Sequence, residues 1–142
     1  MAGISIARGQ EKKIKLEQLP PAVRKTIAAE SANARVVGYS TELEKGKRLY
    51  EAELIVDGHS KDISIDGDGN IVEVEEQVKL ESLPSSVRDA LARAAGSGTI
   101  GKVESLTKQG RLVAYEAHVK KGTRRFEIQV GPGGEKLAHP ED

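Results

Sequence analysis

The chain has 142 residues with 22 basic and 22 acidic side chains, no cysteine, no tryptophan and only 3% aromatic residues. Balanced charge argues against a general nucleic-acid or membrane-surface binder, and the missing thiols exclude disulfides, thiolate metal sites and cysteine nucleophiles. No apolar run approaches the roughly 20 residues that span a bilayer, so no membrane insertion is expected.

In chain order, residues 1–13 carry Gly3, Arg8, Gly9, Gln10, Glu11, Lys12 and Lys13 with only Ile4 and Ile6 as sizeable apolar groups, and read as a flexible arm. Met1 to Lys13 lacks the apolar centre of a signal peptide. Next comes a repeat: Lys15-Leu16-Glu17-Gln18-Leu19-Pro20-Pro21-Ala22-Val23-Arg24 returns as Lys79-Leu80-Glu81-Ser82-Leu83-Pro84-Ser85-Ser86-Val87-Arg88 at an offset of 64, with seven of ten positions identical. Self-similarity at a fixed spacing marks two copies of one folding unit. Each Leu-Pro step opens a helix, because proline lacks the amide that a first turn leaves unpaired. Helix one is expected from Pro21 to Ala32 and helix two from Ser85 to Ala95, where Gly96-Ser97-Gly98 stops it.

After each helix the apolar period falls from near 3.6 to 2. Strands are expected over Arg35–Glu42 and Thr99–Lys108. The strands after them bury Tyr50, Ala52, Leu54 and Val56 in the first copy and Val113, Tyr115, Ala117 and Val119 in the second. Asp57-Gly58 and Lys121-Gly122 are hairpin turns leading to Ile63 and Ile65, and to Phe126, Ile128 and Val130. A polar turn, Asp66-Gly67-Asp68-Gly69-Asn70 or Gly131-Pro132-Gly133-Gly134, then precedes a last strand in each copy.

The expected fold is α+β, with two tandem units at 14–77 and 78–142, each a helix and a four-stranded antiparallel meander. Two separate units of this size would be marginal. The units are therefore expected to join edge to edge across Val74 to Leu80 into one eight-stranded sheet over one core, with both helices on one face. Charge divides between them. Residues 1–77 hold 11 basic and 14 acidic side chains (net −3), and residues 78–142 hold 11 and 8 (net +3).

The pattern Leu19, Pro20, Val23, Tyr50, Glu51, Gly58, Ile63, Ile65, Asp66, Gly69, returning as Leu83, Pro84, Val87, Tyr115, Glu116, Gly122, Phe126, Ile128, Gly133, resembles the PepSY-like family, whose fold is similar to that of the β-lactamase inhibitor protein. The resemblance covers about residues 14–139. It implies tandem helix-plus-sheet units and a non-enzymatic role in binding or inhibiting a protein, often outside the cytoplasm. The location it implies is periplasmic or secreted if a signal peptide has been removed; otherwise the chain is cytoplasmic.

The surface left uncovered by the helices is the candidate site. Its outward positions are Glu51, Glu53, Asp62, Ser64, Glu73 and Glu75 in the first copy, and Glu116, His118, Arg125, Glu127 and Gln129 in the second. An open sheet gives paired carboxylates no water-poor pocket for acid–base chemistry, so no catalytic residue, cofactor or metal is expected. Asp66 to Asn70 has the oxygen spacing of half a calcium loop, but Ile71 stands where the sharp turn needs glycine and Gln77 where a bidentate Glu belongs. His59, His118 and His139 form no ligand pair. Lys120, Lys121, Arg124 and Arg125 read as a solvated hairpin tip, with no aromatic interleaving for nucleic acid. The expected partner is an unidentified protein or peptide, captured by the open face or a strand edge. The competing expectation is self-association into a homodimer through the oppositely charged halves.

Overall fold

The computed structural model describes residues 10–141. The elements follow as β1 (Lys12–Ile14), α1 (Pro21–Glu30), β2 (Arg35–Glu44), β3 (Lys47–Val56), β4 (His59–Asp66), β5 (Ile71–Val78), α2 (Ser85–Ala95), β6 (Thr99–Lys108), β7 (Arg111–Lys121) and β8 (Arg124–Val130). All eight strands pair antiparallel with their sequence neighbours, making one open sheet.

The repeated decapeptide does the same job twice. Leu16–Gln18 and Leu80–Ser82 form short 3-10 turns, which tuck Leu19 and Leu83 into the interior before each proline launches its helix. The Gln18 side chain accepts a hydrogen bond from the Lys15 amide, whereas the Ser82 hydroxyl donates to the Lys79 carbonyl. Val23 and Ile27 are the buried stripe of α1, and Val87, Ala90, Leu91 and Ala95 that of α2. Gly96 ends α2 with φ +58°, and α1 stops at Glu30, earlier than expected, as Ser31 leaves the helical region.

Pairing register puts both helices on one face. Ala52 opposes Ile63, and Ile63 opposes Val74. Val78, four residues along the same strand as Val74, opposes Val103, and the row continues through Ala117 to Ile128. These residues belong to two buried clusters. Leu19, Val23, Ile27, Ala52, Leu54, Ile63 and Ile65 lie with α1. Leu83, Val87, Ala90, Leu91, Val103, Ala117 and Val130 lie with α2. The single core expected from chain length is thus divided in two, and continuity between the halves is carried by the β5–β6 ladder, with Val74 packed on the first cluster and Val78 on the second.

Two boundaries depart from expectation. Of the arm expected over 1–13, residues 1–9 lie outside the described residues, but Lys12 and Lys13 pair with Thr41 and Ser40 as part of β1. The last strand expected after Gly134 does not form. Residues 135–141 carry one sizeable apolar side chain, Leu137, against four in Ile71–Val78, and Pro140 has no amide for a ladder. The count of eight is therefore reached with five strands before α2 and three after it.

Candidate functional site: the open face of the sheet

The register carries the nine charged candidate residues to the side opposite the helices. Glu51 opposes Ser64 and Ser64 opposes Glu73; Glu53 opposes Asp62 and Asp62 opposes Glu75. Further along, Glu116 opposes Gln129, His118 opposes Glu127, and Lys120 opposes Arg125. All four aromatic residues alternate to the other side: Tyr39, Tyr50 and Tyr115 pack on the buried clusters, and Phe126 opposes Val119. The open face therefore carries no aromatic anchor among the described residues.

Its middle is a row of like charges. Glu53, Asp62 and Glu75 stand directly opposite one another on β3, β4 and β5. Facing like charges destabilise a sheet, each pair by roughly 0.2–1 kcal/mol. Toward the β1 edge, Glu11 brings its carboxylate to those of Glu51 and Glu53, all within 4.8 Å. Half-burial, then Glu53 and Glu75, push the Asp62 carboxyl up to about 6, against the opposing pull of Lys102.

A carboxyl that holds its proton more tightly in the folded state favours folding most below its unfolded value, 3.8, and loses that contribution as pH rises to about 6. The full shift corresponds to about 3 kcal/mol. Because more than a third of the group faces water, screening reduces this to about 1 kcal/mol. Asp62→Asn is therefore expected to raise the melting temperature at pH 7.5 and to shrink its fall between pH 4.5 and 7.5. Parallel melting curves for the two proteins would contradict this.

At the β6–β8 end the face holds groups that the sequence reading left out. Glu104 on β6 is only 5% exposed and opposes Glu116 on β7. Its Oε1 lies 3.3 Å from His118 Nε2 and its Oε2 lies 3.6 Å from Lys102 Nζ. The His118 Nδ1 side faces Glu127 Oε1 at 3.8 Å. Gln129 Nε2 donates to Glu116 Oε2 at 2.9 Å. Burial first, then the nearby carboxylates of Glu127, Glu75 and Glu104, push the Glu116 carboxyl up to about 7, against the Gln129 hydrogen bond that favours its charged form.

Glu141 lies across this part of the face. The Glu141 amide donates to Gln129 Oε1 at 2.7 Å, its carbonyl accepts from Gln129 Nε2 at 2.9 Å, and its carboxylate meets Lys108 Nζ at 3.2 Å. Since Lys108 ends β6 and Gln129 belongs to β8, Glu141 bridges over β7. Leu106 and Ala114, opposed on β6 and β7, are buried on this same side. On the acidic β2–β5 half, Glu51, Glu53, Asp62, Glu73 and Glu75 are half-buried, while Ser40, Glu42 and Ser64 on the same side are buried.

The remaining candidates have structural roles. Asp66 Oδ1 accepts from the amides of Asp68 and Asn70, and Oδ2 accepts from the Asn70 side chain. These bonds, the Asn70 amide foremost, hold the Asp66 carboxyl below its ordinary value. His59 Nε2 pairs with Glu76 Oε2 at 2.8 Å, and Arg124 stacks over Phe126 at 4.9 Å. No described helix is long and apolar enough to cross a membrane.

No protein-family profile and no curated protein sequence matches the chain. Solved structures do. A BLIP-like protein from Bacteroides fragilis aligns with TM-score 0.62 at 20% identity, over 84% of this chain and 83% of that one. This chain shares the BLIP-like fold. A candidate periplasmic protein from Bacteroides eggerthii aligns with TM-score 0.68 at 19% identity, over 82% of this chain and 84% of that one. A DUF2874 family protein from Bacteroides ovatus gives 0.66 at 18%, over 84% and 85%. The inhibitor-protein-like fold expected from the repeated motifs is thus the one these structures display.

Proposed function

We propose that this protein is a non-enzymatic binding module whose acidic open face docks a cationic surface of another protein or peptide. The observation that carries the reading is the Glu53–Asp62–Glu75 row, three facing carboxylates whose mutual repulsion a positively charged partner would relieve. With every aromatic residue on the helix side, recognition rests on charge and hydrogen bonding, so binding should weaken steeply with salt. The BLIP-like fold supports a protein-binding role, and the B. eggerthii neighbour supports a periplasmic location. In this reading the chain is two copies of one PepSY-like unit, at 14–77 and 78–142, of which the first supplies the docking surface and the second, more basic one partly covers its own face. The test is a hydrogen-exchange footprint of a captured and purified partner. Protection over β3–β5 is expected, whereas protection confined to α1 and α2 would refute the reading.

One observation favours a second reading. Among the described residues β8 pairs with β7 alone, and antiparallel self-pairing of its other edge centred on Phe126 would set Arg125 opposite Glu127 of a second copy. A salt-sensitive dimer in sedimentation, abolished by Ile128→Pro, would support self-association instead.

A further inference from the structure

We propose that Glu104, Glu116 and His118 form a binding site for one divalent transition-metal ion of the zinc class. Glu104 on β6 faces Glu116 on β7, His118 lies two residues further along β7, and one ligand atom from each lies within 4.8 Å of the others. The 3.3 Å between His118 Nε2 and Glu104 Oε1 matches the edge of a tetrahedron whose bonds are about 2.0–2.1 Å, the length of zinc–imidazole and zinc–carboxylate bonds.

The surroundings fit as well as the ligands. Metal-bound histidines turn their second ring nitrogen to a carboxylate or carbonyl, which fixes the tautomer and strengthens the donor. Glu127 stands on the Nδ1 side of His118 and so leaves Nε2 to face the two glutamates. Gln129 plays the equivalent part for Glu116. Its amide is held from both sides by the Glu141 backbone, and its Nε2 donates to Glu116 Oε2, which fixes that carboxyl group. Lys102 likewise occupies Oε2 of Glu104 and leaves Oε1 toward His118.

Charge points the same way. Glu104 and Glu116 bring two carboxyl groups to one spot, with Glu127 on the Nδ1 side of His118 and Lys102 the cation paired to Glu104. An imidazole with two carboxylates suits a borderline ion and falls short of the six to eight oxygens that calcium takes. The Glu11–Glu51–Glu53 group, exposed or half-exposed and without a nitrogen donor, carries no comparable site. Three protein ligands leave a fourth position in the shell, which a water could complete.

This inference does not depend on the docking reading, and either can fail alone. Calorimetric titration of the chain with Zn2+ should show one saturable equivalent that equimolar Ca2+ leaves intact, and Co2+ should give the visible absorption of a tetrahedral centre. Glu127→Gln should weaken binding by roughly 10–100-fold, His118→Ala and Glu116→Gln by more, and His59→Ala not at all. In the native chain, independent of how any variant folds, Zn2+ should shift the ring-nitrogen resonances of His118 and leave those of His59 and His139 in place. Absence of saturable Zn2+ binding, displacement by equimolar Ca2+, an unchanged titration for His118→Ala, or ring shifts at His59 or His139 instead would overturn the assignment.

Discussion

Leu19→Asp and Leu83→Asp are each expected to destabilise the fold by on the order of 4 kcal/mol or more. Both leucines are buried, at 2% and 7% exposure, and each sits at the hinge between a 3-10 turn and its helix. Aspartate there would place a charge among Val23, Ile27 and Ile63 in one cluster, or Val87, Leu91 and Val130 in the other. Since a domain of this size has only about 5–15 kcal/mol in hand, either change should leave the chain largely unfolded or melting far lower. Melting unchanged from the native chain would place these leucines outside the core.

Gly69→Ala and Gly134→Ala are each expected to cost about 1–3 kcal/mol, read from urea unfolding. The two glycines close corresponding turns, both at φ +88°, a region that disfavours any side chain. Each is also pressed against the first turn of its helix. A Cβ on Gly69 would lie 2.8 Å from the Ala22 carbonyl oxygen, and one on Gly134 would lie 2.5 Å from that of Ser86. Backbone atoms cannot swing aside as a side chain can, so helix and turn would have to separate. Around Gly69 that separation would also strain the 2.6 Å bond from the Thr26 hydroxyl to the Gly69 carbonyl. Gly134, with the closer contact, should lose more. A neutral or stabilising Gly134→Ala would show that the turn is not seated on α2.

Much of this was readable in the sequence because the signals were periodic. Leu-Pro followed by Val23 and Ile27, or by Val87 and Leu91, dictates helix position, and the alternation around Tyr50–Val56 and Tyr115–Val119 dictates which side chains share a face. Parity alone therefore carried Glu51, Glu53, Asp62, Glu73, Glu75, Glu116, His118, Arg125 and Glu127 to the open side. What escaped was either too short or too irregular to carry a period. Lys12–Ile14 has three residues, and its strand exists only because β2 offers an edge. Glu104 lies between two register shifts, Ile100/Val103 and Leu106/Thr107, that break the alternation of β6. Its meeting with His118, fourteen residues away, follows from β6–β7 pairing, and the Gln129–Glu141 clamp comes from a segment whose repeat counterpart, Ile71–Val78, is a strand and so points to a strand there instead.

The central claim is that the acidic row on β3–β5 binds a cationic partner. It is tested most directly by the dissociation constant of a captured, purified partner, measured for the native chain and for Glu53→Lys/Glu75→Lys at low and high salt. The double variant sets lysines on either side of Asp62 and reverses the facing charge, and its melting curve, recorded beside that of the native chain, shows that binding is compared between folded proteins. Binding weakened by about 10-fold or more in the variant, with a native affinity that falls as salt rises, is the predicted result. Equal affinity for both proteins, at either salt concentration, would contradict the account.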